Sequence, residues 1–246
     1  MSPIDVSARF EVKRPSAPHA ATRPLDAAAL ILVDRSTRTP KILFGRRNPS
    51  LRFMPGKFVF PGGRLDPQDR RMAVYGMLDS DSERRLMARV TRPSANRARA
   101  LALAAIREVC EETGLILGTR EAGAPERTPN GWDAFAQAGV FPNLEDLTFV
   151  ARAVTPPGLP RRFDTRFFMA DARSVAHRLD GVVGPECELV ETAWMSVSEA
   201  RQADIPQITR AIIEDVESRL TSGSKPWMPV PYFFARGGRM YRDAIA

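Results

Sequence analysis

One short stretch of this chain of 246 residues concentrates the groups best suited to chemistry: Arg107-Glu108-Val109-Cys110-Glu111-Glu112-Thr113-Gly114-Leu115. Residues 98–113 are rich in Ala, Leu, Arg and Glu, which are good helix formers, and Gly114 supplies a C-terminal stop, so a helix is predicted there. On that helix Glu108, Glu111 and Glu112 stand at i, i+3 and i+4 and share one face. Three like charges on one face repel, and a divalent cation would relieve the repulsion. Carboxylate oxygens are hard ligands suited to Mg2+ or Mn2+, and no His or Cys joins them to suggest zinc. Cys110 reads as a small buried apolar residue. Taken alone, the glutamates are equally compatible with a solvated acidic face.

The upstream context narrows this. Phe60-Pro61-Gly62-Gly63 precedes Arg64-Leu65-Asp66-Pro67-Gln68-Asp69. Paired glycines allow a turn that side chains would block and let peptide groups approach a metal or phosphate closely. Together the two segments resemble the Nudix family, whose box runs G, five residues, E, seven residues, then R-E-U-x-E-E-x-G-U with U aliphatic. Gly63 matches the first glycine, and Arg107, Glu108, Val109, Glu111, Glu112, Gly114 and Leu115 match the end. Asp69 stands where the family has Glu. The departure is an insertion: 37 residues separate Asp69 from Arg107 instead of seven. Phe53-Met54-Pro55-Gly56, Val59 to Gly63 and Arg162 to Phe168 resemble the branch with such an insertion, the peroxisomal coenzyme A diphosphatase type.

The resemblance implies an α+β Nudix fold, a mixed β-sheet sandwiched between helices. It implies an enzyme that hydrolyses the diphosphate linkage of a nucleoside diphosphate derivative with Mg2+ or Mn2+. Gly63, Glu108, Glu111 and Glu112 would hold the metal. Arg107 would tie loop to helix through Asp69 or Asp66. Glu188 leads as general base, with Glu191 and Asp164 behind it. Arg46, Arg47, Arg161, Arg162 and Arg166 could grip phosphates, because a guanidinium offers paired donors. Coenzyme A or acyl-CoA is the leading substrate. The alternatives are ADP-ribose, NADH or a dinucleotide, or a non-catalytic nucleotide- or RNA-binding module.

Other elements must carry this site. Residues 27–33 and 41–45 read as a buried hairpin and 58–60 as a third strand. Further strands are predicted around 115–117, 149–151, 167–169 and 192–195, with an amphipathic helix over 208–220. Residues 1–24, rich in Pro, Ser and Ala, read as a tail or edge extension. Residues 25–246 form a single domain with an Arg-rich inserted segment at about 70–99, expected to lie over the site or to make a dimer contact. The aromatic C-terminal segment 227–241 is expected to pack outside the domain or at a subunit contact.

The formal net charge of +7 favours anionic partners, here a nucleotide-like diphosphate substrate. Nucleic acid is not expected, because no aromatics interleave with the basic residues of 70–99. No stretch is long and apolar enough to span a bilayer, and two cysteines imply no disulfide framework. The cytoplasm is the expected compartment and a homodimer an open alternative.

Overall fold

The computed structural model describes residues 2–10, 22–159, 161–223 and 228–246. In chain order the strands and helices are β1 Ile4–Asp5, β2 Leu25–Asp34, β3 Lys41–Arg47, β4 Phe58–Val59, β5 Gly62–Arg64, α1 Ser80–Met87 and α2 Ala95–Thr113. They continue with β6 Leu115–Leu117, α3 Asp133–Ala138, β7 Thr148–Val154, β8 Phe163–Asp171, β9 Val175–Arg178 and β10 Leu189–Met195. Last come α4 Val197–Gln202, α5 Gln207–Ser222, β11 Val230–Arg236 and β12 Arg239–Ile245.

One mixed sheet, ordered β1-β12-β11-β7-β8-β2-β3-β10, forms the middle layer, with β4 paired to β3 and β5 to β2. The β2–β8 and β7–β11 pairings are parallel; the rest are antiparallel. The order of elements and this layering give the α+β, helix-sheet-helix sandwich that was expected. The near-continuous apolar run of β2 follows from burial on both faces. Ala28, Leu30 and Leu32 join one core with Leu101, Ala105 and Val109 of α2; Ala29, Ile31 and Val33 join a second with Ile212, Ile213 and Val216 of α5.

Helix α2 begins three residues earlier than its composition suggested, with Ser94 as its N-cap, and ends on left-handed Gly114. Two other expectations are corrected. The segment after residue 227 does not pack outside the domain: β11 and β12 form a hairpin inside the sheet beside β7, with Val230, Phe233, Met240 and Ile245 buried. Trp227 itself lies outside the described residues. The inserted segment does not lie over the glutamates. Helix α1 packs on the N-terminal half of α2 and on β7, burying Met72, Leu78 and Leu86 in the core. Its arginines are largely engaged within the chain: Arg84 donates to Asp81 and to the Ala246 carbonyl, Arg89 to Asp243, and Arg99 to the Met72 carbonyl. Within the tail, Ile4 and Asp5 pair with β12, an edge extension of the sheet.

Candidate functional site

Strands β4 and β5 run as one short segment wedged between β3 and β2, and this brings Gly62 and Gly63 against the C-terminal end of α2. A Cβ on Gly63 would displace the Glu108 carboxylate, and one on Gly62 would strike the backbone of Ala28 and Ala29 in β2, so the glycine pair allows the close approach. The Gly62 amide donates to Glu112 Oε2 at 2.9 Å. Sequence reading expected a glycine bend beside the glutamates, and the structure brings the two together.

Arg107 organises the other side. Its Nε and Nη2 donate to Asp69 Oδ1 and Oδ2 at 2.8 and 3.1 Å. Its Nη1 donates to Glu108 and Glu111 at 3.0 and 2.8 Å, and Nη2 also reaches the Arg64 carbonyl at 2.9 Å. Of the two partners left open by the sequence, Asp69 is the one used. Asp66 instead caps the 3-10 turn Pro67–Arg70, accepting from the Gln68 amide. Asp69 is fully buried and also accepts from the indole N–H of Trp132, itself fully buried, at 3.2 Å. Sequence reading missed Trp132. It lies 63 residues from Asp69, and no local spacing announces such a contact.

Burial dominates the electrostatics here. It pushes Glu112 up to about 8 and Glu108 up to about 7, and it raises Glu111. The neighbouring carboxylates add to each rise, while Arg107 opposes it for Glu108 and Glu111. Burial also lifts the Cys110 thiol to about 11, as suits an inert core residue. Among the described residues no three carboxylate, His or Cys groups converge at ligand distance on one point. Arg107 bridges Glu108 and Glu111 in that place. The donor set is nonetheless all hard oxygen, crowded and desolvated, which suits a hard divalent cation once Glu111, on the rim with its side chain 45% exposed, turns from Arg107.

Glu188 precedes β10 and lies close enough to raise Glu112. It accepts from Arg47 Nη1 at 2.9 Å, while Arg47 Nε donates to the Phe53 carbonyl. Arg46 pairs with Glu191 at 3.7 Å. Glu188, Glu191, Arg46 and Arg47 thus gather on the β3–β10 flank. Arg162, Arg166 and Asp164 do not. Arg162 donates to the Thr155 and Thr22 carbonyls. Arg166 is 1% exposed and pairs with Asp26 and Asp164, and Asp164 is held by both Nε and Nη2 of Arg152. That network sits under the N-terminal end of α2, where Arg97 grips Asp26. Arg162, Arg166 and Asp164 are all engaged with partners inside the chain, while Nε and Nη2 of Arg166 are buried without a hydrogen-bond partner among the described residues. Arg161 is exposed and makes no hydrogen bond or ion pair among the described residues.

The comparisons with known proteins agree with this geometry. No family model matches the chain. A Nudix hydrolase from Alicyclobacillus acidocaldarius has a similar structure, with a TM-score of 0.60 and 28% identity over 79% of this chain and 91% of that one. A Caenorhabditis elegans protein carrying the name nudix hydrolase 7 is 29% identical over 154 residues, 58% of this chain. The match spans 43% of that relative's own length. The fold is the Nudix fold. Among the described residues no helix is long and apolar enough to cross a membrane.

Proposed function

We propose that this chain is a metal-dependent hydrolase that cleaves the diphosphate linkage of a nucleoside diphosphate derivative. The observation that carries the reading is the set of three glutamates at the end of α2, packed against Gly62 and Gly63, with burial holding Glu108 and Glu112 far above ordinary carboxylates. Such crowding costs stability and has a chemical reason if a cation sits among the carboxylates. Glu108, Glu111, Glu112 and the Gly63 carbonyl would hold Mg2+ or Mn2+. When bound, the ion neutralises the diphosphate charge, orients the phosphates and acidifies an attacking water.

The chain's own groups do the rest. Arg107 fixes the angle between helix and loop, since its donors are spent on Asp69, Glu108, Glu111 and Arg64. Glu188, poised beside Glu112 and held by Arg47, would take the proton from water as general base. Arg46 and Arg47 are the arginines near the glutamates on the β3–β10 flank, and they would meet the outer phosphates of the substrate.

The finer reading is coenzyme A or an acyl-CoA, cleaved to an adenosine 3′,5′-diphosphate and a phosphopantetheine product. It rests on the likeness of residues 53–63 to the coenzyme A branch. Arg84, Arg89, Arg97 and Arg99 of the insertion lend it no support, because they are engaged with Asp81, Asp243, Asp26 and the Met72 carbonyl. Assays of coenzyme A, ADP-ribose, NADH and a dinucleoside polyphosphate, each with Mg2+, Mn2+ or chelator, test both levels. Metal-dependent release of products is expected, fastest from coenzyme A. Turnover of another member alone would replace the substrate reading. Nucleotide binding without any turnover would replace the hydrolase reading with a non-catalytic one.

A further inference from the structure

Beside Glu111 lies a cleft of about 370 Å3 lined by Asp66, Gln68, Arg107, Glu111, Asn130 and Gly131. It lies between the turn 67–70 and the loop that ends in Trp132. We propose that this cleft is a subsite for the uncharged, hydroxyl- or amide-bearing portion of the substrate, recognised by the side-chain carboxamides of Gln68 and Asn130. The proposal rests on the hydrolase reading above, and it adds which end of the substrate lies where.

Charge excludes an anion from the cleft. Arg107 is its one lining cation, and a guanidinium has five N–H donors. All five are committed: Nε to Asp69, Nη1 to Glu108 and Glu111, Nη2 to Asp69 and the Arg64 carbonyl. Asp66 and Glu111 line the same space with carboxylates, so while Glu111 stays on Arg107 a phosphate in the cleft would meet repulsion. A neutral polar group meets the opposite situation. Among the described residues the side chains of Gln68 and Asn130 make no hydrogen bond, so each carboxamide keeps a free carbonyl and two free N–H donors. Such pairs recognise hydroxyls and amides well and anions poorly.

The wall carrying Asn130 is fixed rather than loose. Trp132 closes it, and the indole hydrogen bond to Asp69 ties it to the residue that holds Arg107. Gly131 is left-handed at φ 87, a conformation that other residues would strain, and it lies in ordinary contact distance of Glu111. A diphosphate held at Glu111 would therefore point one substituent into the cleft and the other toward Arg46 and Arg47.

Side-chain amide NMR of the whole metal-free protein, titrated separately with D-ribose, pantetheine and inorganic phosphate, reads the subsite without turnover. The Gln68 and Asn130 amide signals should shift with ribose if the sugar is recognised, or with pantetheine if the amide chain is. Shifts with phosphate alone, or with none of the three at millimolar concentrations, would overturn the proposal. Kinetics with the best substrate of the panel give a second readout. Gln68→Leu and Asn130→Ala should each raise KM about fivefold to tenfold, the loss of one neutral hydrogen bond, with kcat held within about twofold. Mn2+ affinity measured by electron paramagnetic resonance should stay unchanged. An unchanged KM in both variants would refute the subsite. An inactive wild type would refute the hydrolase reading and leave the NMR titration to decide the subsite.

Discussion

The two ends of α2 each carry a buried ionic cluster, and they are built in opposite ways. At the N-terminal end Arg97, Arg152 and Arg166 face Asp26 and Asp164, and each side chain has an opposite charge at hydrogen-bond distance, although Nε and Nη2 of Arg166 lack a partner among the described residues and burial lowers that guanidinium. Burial would raise Asp26, but Arg97 and Arg166 overcome it and hold its carboxyl below the usual range. About 20 Å along the same helix, Asp69, Glu108 and Glu111 share one arginine and Glu112 accepts from the Gly62 amide, and burial wins: the glutamates rise. A matched cluster holds a fold together. An overloaded one stores strain that a ligand can release, and such perturbed groups gather at functional sites.

The contrast can be broken by experiment. Asp164→Ala should have the largest effect on stability, because it leaves Arg152 buried without its carboxylate and Arg166 with Asp26 alone. A loss of about 3–5 kcal/mol is expected in denaturant unfolding, with kcat per folded molecule unchanged. A fall in kcat would mean that the N-terminal cluster takes part in the reaction. Glu112→Gln should do the reverse. It removes a ligand charge, so turnover falls roughly 100-fold or more, while the metal-free protein unfolds at an equal or higher temperature. Full activity in that variant would remove Glu112 from the site. Leu86→Ala in the inserted segment comes next, at about 2–3 kcal/mol of stability. A negligible cost there would make the insertion a detachable appendage.

A further effect is graded with pH. Glu112 ionises near 8 in the folded chain against 4.5 for the free side chain. Its raised value means that the folded state holds the proton more tightly. Its contribution is therefore complete below pH 4.5 and fades as pH climbs toward 8. Metal-free protein should lose stability between pH 5 and pH 8, and Glu112→Gln should flatten that slope. Added Mg2+ or Mn2+ should stabilise the wild type most at the alkaline end. A slope unaltered by the substitution would show that Glu112 is not the group responsible.

The glutamate end was the more legible of the two in the sequence, because its residues are neighbours on one helix and one turn. Helical spacing put the glutamates together, and the glycine pair marked the close approach. The N-terminal cluster was misread because its members come from four separate elements. One signal was available: along β8, Asp164, Arg166 and Phe168 alternate onto the same face, and Phe168 is core. Arg166 therefore had to point inward. Sequence composition failed for the inserted segment as well. Its arginines dominate the count, but Met72, Leu78 and Leu86 decide its place. The C-terminal hairpin was obscured by Pro and Gly, whose turn signals masked alternating buried residues such as Phe233 and Met240.

The salt bridge between Asp69 and Arg107 closes a ring in the chain, and its circumference is set by the insertion. Stretching that ring from seven residues to 37 adds only about 1.5 kcal/mol of closure entropy, since the term grows with the logarithm of length. A fully buried paired contact, bolted by an indole, can hold such a ring shut, and the extra chain recovers the difference by burying its own apolar side chains. Polymer statistics thus explain how a motif interrupted in sequence stays whole in space, and why lengthening at this point need not disturb the carboxylates beyond it.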